Sequence, residues 1–108
     1  MKKTLLSMLF VASSVNAEFI TGNMLLSWME SSSTAEQGAA RGYIAGVIDG
    51  TQGIRHCAPD GISIKQVMDM TKVALTNVPE KRNVSADVYV AGVAAIAWPC
   101  KPKKGDSI

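Results

Sequence analysis

Few side chains of this chain are equipped for chemistry. They are a single histidine, His56, two cysteines, Cys57 and Cys100, and aspartates spread one to a segment at Asp49, Asp60, Asp69 and Asp87. A thiolate nucleophile with an imidazole base could in principle be built from Cys57 and His56. Adjacent residues rarely present their side chains to each other, however, and pairing of Cys57 with Cys100 would consume the nucleophile. A structural zinc would need two further ligands of the same kind. The aspartates define no pair at the separation that acid–base hydrolysis requires. Glycines between positions 38 and 50 lie in a helical pattern and lack the preceding strand and the Lys-Ser/Thr of a phosphate-cradling loop. The chain therefore reads as having no catalytic residues, no metal site and no cofactor, a binding domain rather than an enzyme.

What oxidises the cysteines is set by the first segment. Met1-Lys2-Lys3, an apolar run from Leu5 to Val15 and the small residues of Val15-Asn16-Ala17 make a cleavable secretory signal over residues 1–17. The run is too short to span a bilayer, which takes about 20 apolar residues. Glu18 follows the cut where a lipoprotein would carry cysteine. The expected product has no membrane anchor and is released into the periplasm. There Cys57 and Cys100 pair, closing a loop of about 44 residues that the chain-entropy estimate values at roughly 4 kcal/mol. Cleavage removes Lys2 and Lys3, leaving nine basic against nine acidic residues. A neutral chain has no electrostatic basis for a nucleic-acid partner. Three of the remaining cations, Lys101, Lys103 and Lys104, gather at the end, where residues 102–108 form a flexible basic tail.

The elements between are helical, with no sustained alternation of the strand type. A short helix is expected over about Asn23 to Glu30, with Thr21 as N-cap and Leu25, Leu26 and Met29 on one face. A second follows from Thr34, whose pairing with Gln37 fits a capping box, to about Thr51. Its apolar residues are Ala40, Tyr43, Ile44, Val47 and Ile48. A third opens on the capping box Ser63 to Gln66, buries Ile64, Val67, Met68, Thr71, Ala74, Leu75 and Val78, and is stopped by Pro79. The fourth runs from near Ser85 through Val88, Tyr89, Val93, Ile96 and Ala97 to Trp98-Pro99-Cys100. The fold class is all-α, a small bundle of four to five helices closed by one disulfide, occupying residues 18–101. Trp28, Tyr43, Tyr89 and Trp98 fall at helical spacing and read as core residues.

Two features stand apart from the core pattern. Gly38, Gly42, Gly46 and Gly50 recur every fourth residue, although each glycine inside a helix costs about 1 kcal/mol relative to alanine. They form a stripe that another backbone can approach closely, from a helix of the same domain or of a partner. Asp49 lies beside the stripe, either exposed to solvent or capping something across it. Glu80-Lys81-Arg82-Asn83 is the most charged stretch of the domain and protrudes between two helices.

Four blocks together resemble one family: Asn23 to Ser31, with Leu25-Leu26 and Glu30-Ser31; Arg41-Gly42-Tyr43-Ile44-Ala45-Gly46-Val47-Ile48-Asp49; Cys57-Ala58-Pro59-Asp60-Gly61-Ile62-Ser63; and Trp98-Pro99-Cys100. They resemble the Rap/Tai type of immunity protein, which protects bacteria from peptidoglycan amidases delivered by type VI secretion. The resemblance covers about residues 20–101. It implies an exported all-helical domain, commonly a homodimer, that occludes the active-site groove of a cognate amidase toxin. On that basis Gly38, Gly42, Gly46 and Gly50 become the candidate dimer contact. Glu80, Lys81, Arg82 and Asn83 become the candidate partner-binding residues. The alternative is an exported helical adaptor or envelope protein, phage-borne, using the same scaffold for another partner. Many family members carry two further cysteines, at the positions of Met29 and Ala40 here, and their absence implies a looser first helix.

Overall fold

A computed structural model describes residues 19–102. The secretory signal, residue 18 and positions 103–108 of the basic tail lie outside the described residues. Within them the chain forms four helices: α1 (Gly22–Glu30), α2 (Thr34–Thr51), α3 (Ile64–Thr76) and α4 (Ala86–Ala97), with a 3-10 turn at Pro79–Lys81 before the last. Every helix touches each of the other three.

Side-chain caps set three of the starts. The Thr21 hydroxyl accepts from the Met24 amide, and that of Ser63 from Gln66. At α2 the structure corrects the expectation by one residue: the cap is Ser33, accepting from Glu36, while Thr34 is already helical. Ser33 to Glu36 is itself a capping-box spacing, and a carboxylate at its third helical position complements the N-terminal dipole better than the amide of Gln37. Gln37 turns back to donate to the Ser31 carbonyl at 2.5 Å. Helix α3 ends at Thr76, three residues short of Pro79, because the ring disfavours helical geometry in the residue before it, and Val78 has left the helical region at φ −130° and ψ 59°.

The core is one cluster read off at helical spacing: Leu25 and Leu26 from α1, Ala40, Ile44 and Ile48 from α2, Val67 and Leu75 from α3, and Ala86, Val90 and Ala94 from α4. Trp28, Tyr43, Tyr89 and Trp98 pack against it, as does Met29, while Ala40 is fully buried. Apolar packing thus holds Met29 and Ala40, the two positions from which a looser first helix was expected. Helix α4 presents its smaller residues to the core. Val88 and Ile96 face outward, 50% and 85% exposed.

Beyond α2 the chain is held by a staple. Cys57 and Cys100 form the expected disulfide, their Cα atoms 4.8 Å apart. The Cys57 amide also donates to the Trp98 carbonyl at 2.8 Å. His56 is fully buried beside it, with Nε2 at 3.0 Å from the Ile48 carbonyl and Nδ1 accepting from the Ala58 amide at 3.1 Å. Both ring nitrogens are thereby engaged, the first as donor and the second as acceptor. Gly53, at φ +79°, turns the chain so that its amide reaches the His56 carbonyl.

Replacing Cys57 and Cys100 together by alanine is expected to lower unfolding stability by roughly 3–4 kcal/mol, measured by urea titration. Thr71 is fully buried with a hydroxyl that has no hydrogen-bond partner among the described residues. Thr71→Val should raise stability by about 1 kcal/mol, because a buried polar atom is replaced by a methyl of equal size.

Candidate functional site

The charged turn is docked on the first helix by backbone contacts. The Gly22 amide donates to the Val84 carbonyl at 2.9 Å, Asn23 to Arg82 at 2.8 Å, and Ala86 to Ile20 at 2.7 Å. From the other side the Tyr89 hydroxyl donates to the Lys81 carbonyl at 2.5 Å. The approach is close enough to require glycine at position 22. A Cβ there would lie 2.8 Å from Leu75 Cδ2 and 3.0 Å from the Arg82 carbonyl oxygen.

The four candidate partner-binding residues do not share one environment. Glu80, Lys81 and Asn83 are exposed on the protruding turn, whereas Arg82 is half-buried and has its Nε sealed from solvent without a hydrogen-bond partner among the described residues. Arg82 lines an open polar cleft of about 540 Å³ with Asn23, Leu26, Ser27, Glu30, Ser31 and Glu36. Sequence reading missed these companions. A signal was there, since Asn23, Ser27 and Glu30 recur at i, i+4 and i+7 as a polar stripe opposite Leu25, with Leu26 at its edge. That Arg82 would join them from almost 60 residues away depends on the fold.

The glycine stripe lies elsewhere, along α2. Gly38, Gly42, Gly46 and Gly50 are all exposed, and a Cβ added to any of them would meet nothing within 4 Å. No helix of the described chain uses the stripe, which removes the intradomain alternative. Asp49 beside it is exposed.

A second polar group sits where α4 begins. Asp87 accepts from the Ser85 hydroxyl and lies 3.7 Å from Arg55. The nearby Tyr43 phenol is held above its ordinary pKa by burial and then by the Asp87 charge. Tyr43, Ser85 and Asp87 edge a second cleft with Phe19 and Ile20. His56 and Cys57 are both taken up by the staple. Among the described residues no group of three or more acidic, histidine or cysteine side chains could hold a metal, and no helix is long and apolar enough to cross a membrane.

Disulfide-closed and all-helical, with its polar features gathered on an outer surface, the described chain is a small helical bundle consistent with an exported protein. Residues 21–100 match the family of Rap1a immunity proteins, and the chain belongs to that family. No curated protein matches it. Membership carries an immunity function against a secreted effector, and with it a cognate toxin as partner.

Two glycine substitutions should move stability in opposite directions. Gly22→Ala is expected to destabilise by about 1–3 kcal/mol through overpacking against Leu75 and Arg82. Gly42→Ala, with open space for the methyl, should stabilise the monomer by about 1 kcal/mol through helix propensity. Thermal melts of the dilute protein distinguish the two.

Proposed function

We propose that the chain is a periplasmic immunity protein that binds and occludes a peptidoglycan amidase effector of type VI secretion. The supporting observation is the charged turn held rigid on α1, an exposed, pre-ordered projection of the kind that can enter a groove without first losing conformational freedom. Glu80, Lys81 and Asn83 supply its exposed polar tip. Residues 1–17 are the export signal, residues 18–101 the immunity domain and residues 102–108 a basic extension. The protein acts as a homodimer, with the open stripe Gly38, Gly42, Gly46 and Gly50 as the contact where backbones approach.

Co-expression with a panel of periplasm-targeted amidase toxins tests the function. Growth should be rescued against at least one toxin, and failure against all of a broad panel overturns the reading. With a neutralised toxin in hand, the double variant Glu80→Lys/Lys81→Glu should weaken its binding at least tenfold and leave Tm unchanged. Gly46→Leu should shift the solution mass towards monomer; an unchanged dimer would place the contact elsewhere.

A further inference from the structure

The polar cleft beside the turn carries carboxylates that form no ion pair among the described residues. Glu30 and Glu36 lie on its walls with Arg82, yet the ion pairs formed among the described residues are Arg55 with Asp87 and Lys65 with Asp69. Glu30 and Glu36 therefore line the cleft without an ion pair to Arg82 or to any other described cation, and the Arg82 Nε is buried without a described acceptor. The walls are fixed. Arg82 is anchored through its carbonyl to Asn23, and the Ser31 to Glu36 side is tied by Ser33 donating to the Ser31 hydroxyl and Gln37 to the Ser31 carbonyl. At about 540 Å³ the cleft lies within the range of ligand-sized clefts, ~300–1,000 Å³.

We infer that this cleft docks a basic side chain of a protein partner, its cation held by Glu30 and Glu36 and a neighbouring carbonyl oxygen received by Arg82. Charge complementarity selects that occupant. Two carboxylates outweigh one guanidinium, so an acidic segment would meet net repulsion, while an arginine or lysine would gain charge-assisted hydrogen bonds. The exposed Asn23 and Ser27 side chains can satisfy the polar backbone on either side of the basic residue. The identity of the occupant as a segment of a bound toxin rests on the function proposed above; the chemistry of the cleft does not. The turn then supplies the projection, and the cleft at its base reads a specific residue of the partner.

The test uses blocked peptides as probes, Gly-Arg-Gly and Gly-Glu-Gly, titrated into the isotope-labelled, disulfide-intact chain and followed by amide NMR shifts. The arginyl peptide should produce saturable shifts at Ser27, Glu30, Glu36 and Arg82. Its affinity should fall at least tenfold in Glu30→Gln/Glu36→Gln and stay unchanged in the control Asp60→Asn/Asp69→Asn. Both acids of the first pair are exposed, so the fold should persist, which an unchanged spectrum away from the cleft checks. No saturable shift, equal binding by Glu30→Gln/Glu36→Gln, or equal binding of the glutamyl peptide would overturn the inference. Peptide binding without growth rescue by any amidase would overturn the proposed function and leave the cleft standing. Rescue without peptide binding would do the reverse.

Discussion

The staple around Cys57 is the constraint on which the remaining geometry depends. A helical chain of this size has a limited apolar surface to bury, and small exported domains commonly add a covalent link. Here the link does more than close a loop. The Cys57 amide bonds to the Trp98 carbonyl, His56 reaches the last turn of α2 through the Ile48 carbonyl, and the disulfide joins both to the chain just past α4. The end of α2 and the end of α4 are thereby held to one point. With its far end held and Asp87 near its start placed beside Arg55, α4 turns Ala86, Val90 and Ala94 inward.

That rotation governs the site. The start of α4 sits against the segment before α1, with Ala86 bonded to the Ile20 carbonyl, and Tyr89 on its first turns reaches back to Lys81. The turn between α3 and α4 is thus held at both edges, and Gly22 lets it settle directly on α1. A charged loop of this composition would ordinarily be mobile and solvated. In this chain it is docked on the bundle, because the Arg82 and Val84 carbonyls accept from α1 and the Lys81 carbonyl from Tyr89 of α4.

Local signals carried most of the fold. Thr21 and Ser63 announced their helices because a hydroxyl at the N-cap satisfies an orphan amide whatever the tertiary context. The pairing of Cys57 with Cys100 followed from the expectation of export and from their being the two cysteines of the sequence. Where two solutions were locally equivalent, the sequence was ambiguous. Thr34 with Gln37 and Ser33 with Glu36 are both capping boxes one residue apart, and a preference of electrostatic size decided between them. Helix α4 is apolar almost all round, so periodicity could not say that Val88 and Ile96 face water while Ala94 is buried. The cleft was illegible for a different reason. Its walls come from α1, the start of α2 and a turn far along the chain, and no local pattern relates Arg82 to Glu30 and Glu36.

The glycines of α2 bring stability and surface into one account. Each costs about 1 kcal/mol in a helix interior, and none is compensated by close packing within the described chain. The combined penalty is comparable with the roughly 4 kcal/mol that the disulfide contributes by loop closure. A domain of marginal stability that carries such a penalty on an exposed helix face holds it there against the mutational ease of replacing glycine by alanine. The staple supplies the stability that lets α2 keep a bare backbone stripe. The same division holds at Gly22, where a residue poor in helix propensity opens α1 so that the turn can dock. In both places helix stability is given up for surface geometry, one face left open and the other closed tightly over the turn that carries Arg82.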